Sequence, residues 1–168
     1  MRRAPLDALV RGALAGAIGT AIMDLGWFLK HRAQGGQEGL LSFQFGGPSL
    51  WEEVPAPAQV GKRLYEGFRQ RPLDERWART TNNVMHWGYG MGWGALFGVI
   101  AGSVRVPRLL GGSAFGTAVW GSSYVLMPIA GLYKPIWTYR PAELAPDLAA
   151  HIAYGVGTAV AFGTIPPR

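Results

Sequence analysis

The chain has 168 residues, of which 49% are hydrophobic and 15% charged, with a net charge of +6 and no cysteine. That is one domain's worth of chain, and the missing thiols exclude disulfides, iron–sulfur clusters, thiolate zinc sites, thiol catalysis and covalent c-type haem. Nucleic acid is not an expected partner, because no basic face or base-stacking motif accompanies the positive charge.

The mean hydropathy is only slightly positive, so the distribution carries the argument. Charges are confined to a few connecting stretches and leave four long segments nearly free of them, at 8–29, 84–103, 109–132 and 148–165. About 20 apolar residues suffice to cross the ~30 Å hydrocarbon core of a bilayer. The pattern predicts an all-α, polytopic membrane protein whose four transmembrane helices form two tandem helical hairpins, one membrane domain over 1–168.

In chain order, Arg2 and Arg3 precede the run Ala8–Leu29, which is too long for the apolar region of a signal peptide and is read as a retained first helix. It carries Arg11 at its entry and Asp24 inside. The connection from Lys30 to Asn83 is the longest. His31, between Lys30 and Arg32, reads as solvated, and Glu52-Glu53 as a solvated pair and not an acid–base dyad. Within this connection Val60, Leu64 and Phe68 recur at helical spacing among Lys62, Arg63 and Arg69, predicting an amphipathic helix over 57–71. It would lie in the membrane interface or cap the bundle.

The second apolar segment is so rich in Gly that it would make a poor soluble helix, each Gly costing up to ~1 kcal/mol relative to Ala. In lipid the backbone must satisfy itself, and such a helix persists. A basic turn, Val104 to Arg108, follows with Arg105 and Arg108. The third segment reaches Pro128, which should kink or end it. Tyr133, Trp137 and Tyr139 then suggest an aromatic belt. The fourth is expected to start after Pro146 with Asp147, and to stop at Pro166-Pro167.

The two halves echo each other. Ala17 to Ile22 resembles Ala114 to Val119, and His86-x-x-Tyr89-Gly90-x-Gly92 matches His151-x-x-Tyr154-Gly155-x-Gly157. Such tandem hairpins would form a parallel repeat about an axis along the membrane normal. Together with the Pro55-Ala56-Pro57 stretch and the Gly-rich first helix, these motifs resemble the YagU-like small inner-membrane proteins of bacteria. The resemblance implies a multi-pass location in the bacterial inner membrane and the helix number; it supplies no reaction and no site residues.

Two constellations stand out. Gly90, Gly94, Gly98 and Gly102 form an i, i+4 stripe, with shorter versions at Gly12 and Gly16 and at Gly112 and Gly116. Such stripes let another backbone approach, either within one bundle or between copies in a homo-oligomer or larger complex. Asp24, His86 and His151 fall at similar depth toward the long connection, with Tyr89 and Tyr154 one turn from the two imidazoles. A carboxylate in lipid faces the interior and finds a partner, so Asp24 is expected within hydrogen-bond or single-water reach of one His. The cluster is open to three readings: a structural network, a path for protons, ions or a small solute, or bis-His ligation of haem b or a metal.

No nucleophile motif, phosphate loop or HExxH metal motif accompanies them, so no catalytic residue, no resident metal and no cofactor is expected, and the chain reads as a non-enzyme. The leading expectation is a structural, accessory or self-associating bundle in the bilayer; a small transporter or channel is the alternative. Short basic segments (Arg2, Arg3, Arg11, Arg105, Arg108, Arg168) predict cytoplasmic termini.

Overall fold

The computed structural model describes residues 5–103 and 107–166. Arg2, Arg3, Arg105, Pro167 and Arg168 lie outside the described residues. Every element within them is helical, and no strand occurs there. Four long helices hold the four apolar segments: α1 (Pro5–Ala33), α4 (Ala78–Ser103), α5 (Arg108–Ile129) and α6 (Pro141–Thr164). The connection between the first two carries α2 (Leu40–Phe45) and α3 (Ala56–Arg69). Among the described residues, α1 is the one helix long and apolar enough to cross a membrane by composition alone. Gly, Ser and aromatic residues with polar tips dilute α4 and α5, and Asp147 and His151 dilute α6.

Several boundaries differ from expectation, each for a local reason. The fourth helix begins at Pro141 and not after Pro146. Pro141 stands in the first turn, where a missing N–H is harmless, and the Arg140 backbone N–H donates to the Glu143 carboxylate at 2.8 Å. Pro146 is then accommodated inside the helix. The third ends at Ile129, immediately after Pro128, and Gly131 takes a left-handed φ of +67°. The chain through Leu132 is therefore a turn and not the end of the segment 109–132. The second helix starts at Ala78, ahead of Val84, and the first runs on to Ala33, past Leu29. The amphipathic helix is Ala56–Arg69, close to the expected 57–71.

The long helices alternate in direction, so α1, α4, α5 and α6 share a loop end, near α2 and α3, and a turn end. Helix α1 packs on both α4 and α6, and α6 packs on both α1 and α5. The order across the bundle is α4, α1, α6, α5. Helices α4 and α5 meet through aromatic rings, Phe97 on Phe115 at 4.9 Å and Trp93 on Phe115 at 6.3 Å between centroids, and not by close backbone approach. An axis along the bundle would pair α4 with α5 as closely as α1 with α6. The expected parallel symmetry of the two hairpins is therefore not realised in their packing.

Glycine sets the α1–α4 seam. A Cβ on Gly98 would stand 2.9 Å from the Cα of Gly12, and one on Gly94 would stand 2.5 Å from the Cα of Gly16. Both distances are shorter than real Cβ contacts, so only Gly permits this approach. The stripe is packed at Gly90, Gly94 and Gly98 but not at Gly102, which is exposed with only the Ala8 methyl within 4 Å. In the second hairpin a Cβ on Gly112 would lie 2.8 Å from the Gly155 carbonyl, and one on Gly116 would lie 3.0 Å from the Ile152 Cα. The expected glycine contacts are thus made within one chain.

At the loop end, α3 crosses α4 at Gly61, where a Cβ would meet Thr81 and Met85, and Arg63 donates to the Ala130 carbonyl just past α5. Trp51, Val54, Ala58 and Ala78 bury one another beneath this connection. Leu64 and Phe68 point away from the bundle, Phe68 being 86% exposed.

Candidate functional site

Asp24 lies on α1 near the loop end and is only 7% exposed. His86, in the third turn of α4, brings Nε2 to 3.0 Å from both carboxylate oxygens. A carboxylate accepts, so the pair places the ring proton on Nε2. Gln44 of α2 donates its amide to Oδ2 at 2.5 Å. The predicted partner of Asp24 is therefore His86, and the short helix α2 closes the carboxylate from outside.

His151 does not join that pair. Its Nδ1 donates to the Asp147 carbonyl at 2.9 Å and lies 3.3 Å from the Asp147 carboxylate, one turn back on the same helix. The other carboxylate oxygen of Asp147 accepts from Trp120 Nε1 and from the Tyr124 hydroxyl, each at 3.0 Å. Tyr124 in turn packs against Tyr133 and Tyr139. The pKa of the Tyr133 hydroxyl is pushed up, first by burial and then by the Asp147 charge.

In the sequence Asp147, directly after Pro146, reads only as a helix-start signal. The i, i+4 spacing of Asp147 and His151 was the available clue to their pairing, obscured by taking Pro146 as the boundary. His31 is another correction: it sits in the last turn of α1 and pairs with Glu38 at 2.5 Å, so it is not merely solvated.

The two imidazoles still face one space. A cavity of about 30 Å³ is lined by Thr20, His86, Tyr89, Gly90, His151 and Tyr154, among others. One water needs roughly 10–15 Å³ by this measure, so the cavity suits a water and has no room for a porphyrin. Tyr154 points across the bundle and donates to the Gly90 carbonyl at 2.7 Å. Tyr89, its counterpart in the echo, lies toward the outside against Trp93. Thr20 and Thr158 return their hydroxyls to carbonyls four residues back, at 2.9 and 2.8 Å, which lets polar side chains sit in an apolar interior. Among the described residues, no group of three or more His, Asp or Glu is placed to hold a metal ion.

The turn end carries a second polar clamp. Arg11, 5% exposed, donates to the carbonyls of Phe162 at 2.9 Å and Ile165 at 2.7 and 3.0 Å. Asp7 lies 3.5 Å away and the Phe162 ring 4.5 Å from the guanidinium carbon. The last carbonyls of a helix have no intrahelical donor, and Arg11 supplies one from the first helix to the last.

No family model, curated protein or solved structure matches the chain significantly.

Proposed function

We propose that the chain is a multi-pass membrane protein whose four long helices form a single membrane domain, and that it acts as a scaffold or accessory subunit. The observation that carries this reading is the outer face of α1. Leu6, Val10, Leu14, Ile18, Ile22, Leu25 and Leu29 are all exposed. From Leu6 to Leu29 the helix rises about 35 Å, which matches the ~30 Å hydrocarbon core. Water would meet a continuous aliphatic stripe there, far beyond the isolated apolar residues normal on a soluble surface. Leu96, Val99, Ile100, Val125, Leu126 and Val160 extend the same character to α4, α5 and α6.

In this reading the fourth span is 148–165, and the first two turns of α6 stand outside the hydrocarbon. The exposed Leu64 and Phe68 of α3 suit an interfacial berth beside the bundle. The resemblance to YagU-like proteins is the reason for naming the bacterial inner membrane as the location. The charge of the short segments is the reason for assigning the termini to the cytoplasm.

A scaffold is favoured over a conduit by the seams. From Gly90 toward Ala8, α1 and α4 touch backbone to backbone, which leaves no passage between these two helices in the turn-end half. The small cavity between His86 and His151 favours the second reading, proton movement, for the loop-end half alone.

The test combines fractionation, labelling and flux. The protein is expected to stay with membranes through alkaline carbonate washing, and an impermeant maleimide should label Gln37→Cys only from the non-cytoplasmic face. Gln37 is exposed in the connection. Recovery in the soluble fraction would end the membrane reading. Proton flux in liposomes that is lost in Asp24→Asn would replace the scaffold by a conduit.

A further inference from the structure

Because α4 and α5 meet through aromatic rings and not by close backbone approach, a cleft of about 590 Å³ remains between them, with α6 as its floor. Phe97 and Ile100 line one wall, Leu110 and Phe115 the other, and Phe162 the floor. Ala114 and Ala118 leave the α5 wall low, and both are exposed toward the outside. The volume falls within the roughly 300–1,000 Å³ typical of small-molecule sites. The cleft lies at the turn end, and among the described residues one charged side chain borders it, Arg108 at the first residue of α5.

The surroundings of Arg108 are informative. Among the described residues its guanidinium makes one hydrogen bond, at 3.3 Å to the Gly163 carbonyl. Among the described residues it has no carboxylate within ion-pair distance. Arg11, at the same end, is by contrast buried and donates three hydrogen bonds to the end of α6. An exposed cation without an acidic partner stands beside an apolar cleft that opens sideways. That combination complements one molecule class: an anionic head on an aliphatic tail. Basic pockets between transmembrane helices take anionic lipid headgroups for this reason.

We propose that the α4–α5 cleft is a binding site for an anionic phospholipid, with an acyl chain in the space between Ile100 and Leu110, beside the Phe97–Phe115 contact, and its phosphate at Arg108. The tail fills the space that ring contacts alone leave between the helices, and the phosphate supplies the charge that Arg108 lacks. This rests on the membrane reading. A soluble chain would be identified by fractionation before any lipid measurement, so the two failures are distinguishable.

Native mass spectrometry of the full chain, extracted in mild detergent and exchanged into mixed micelles, gives the test. The probes are dioleoyl phosphatidylglycerol and dioleoyl phosphatidylcholine, which share their tails. Wild type is expected to retain one phosphatidylglycerol with about a fivefold preference, the factor a single basic residue contributes near an anionic surface. Arg108→Gln should abolish the preference while still admitting either lipid, and Arg108→Lys should keep most of it. Ala114→Phe should fill the cleft and lower retention of both lipids, with thermal stability in lipid-free detergent unchanged or raised. Equal retention of the two lipids by wild type overturns the proposal. So does a preference that survives Arg108→Gln, or retention untouched by Ala114→Phe.

Discussion

The two hairpins share a motif and use it differently. In the first, His86 reaches across to a carboxylate on the neighbouring helix, Asp24 of α1. In the second, His151 reaches back four residues to Asp147 on its own helix. Offset by the echo, the counterpart of Asp147 is Asn82 and the counterpart of Asp24 is Gly121. The acidic residue has in effect changed helices. A pair that spans two helices fixes their rotation and height relative to each other. A pair within one helix fixes neither, and in the second hairpin that task falls to Trp120 and Tyr124, which donate from α5 to Asp147. The same H-x-x-Y-G-x-G segment is thus compatible with two ways of locking a helix pair.

The largest expected effect breaks the seam on which the first hairpin depends. Gly94→Leu puts a branched side chain against the backbone of Gly16. Overpacking usually costs about 1–3 kcal/mol and sometimes more, and with backbone on both sides the upper end is expected. Gly92→Leu is the internal control, since a Cβ there meets nothing within 4 Å, and it should stay within about 0.5 kcal/mol of wild type. Thermal or denaturant unfolding in detergent measures both; equal effects would mean that α1 and α4 do not meet at these glycines.

Next is the cross-helix pair. Asp24→Leu leaves the His86 imidazole and the Gln44 amide without their acceptor, at a cost of about 1–3 kcal/mol. Asp24→Asn keeps the shape and part of the bonding and should lose distinctly less. Asp147→Leu tests the comparison directly: its loss should loosen α5 against α6 while leaving exchange of α1 and α4 amides unchanged. A uniform loss of protection over all four helices would show that the hairpins do not hold separately.

Arg11→Met sharpens the contrast between the two ends of the bundle. It keeps much of the apolar stem and removes the donors to Phe162 and Ile165, which predicts a loss of about 1–3 kcal/mol, read as early fraying of the α6 terminus in hydrogen exchange. The smallest effect concerns the other end of α6. The Arg140 backbone N–H, and then its guanidinium, hold the Glu143 carboxyl below the usual range. A depressed carboxyl stabilises above its unfolded pKa, and the contribution disappears as pH falls through its folded value. Fraying of the first turn should therefore increase on acidification in wild type, and Glu143→Gln should abolish that pH dependence.

Much of this was legible in the sequence where spacing and cost act locally. The i, i+4 recurrence of Gly90, Gly94 and Gly98 marks one face, and the expense of an isolated carboxylate in an apolar run demands a partner for Asp24. What spacing does not encode is which neighbour a two-faced helix chooses. Helix α1 offers Gly12 and Gly16 to α4 but Gly19 to α6, where a Cβ would meet the Tyr154 carbonyl at 2.6 Å. That second contact makes α1 central, and nothing in its period announces it. The pairing of His151 with Asp147 is what Pro146 concealed. A proline tolerated inside a helix hid the i, i+4 pair that begins one residue later.

The Arg11 clamp has a consequence for how the chain is made. Its acceptors lie 151 and 154 residues downstream, and at about 5–20 residues per second they emerge from the ribosome roughly 10–30 s after Arg11 does. Throughout that interval the first helix carries a cation whose final partners do not yet exist. The final turn of the last helix is thus the latch of the assembly, and a nascent chain stalled before Phe162 would hold every glycine seam of the first hairpin, with Asp7 beside Arg11, and still lack the carbonyl acceptors that α6 supplies to that guanidinium.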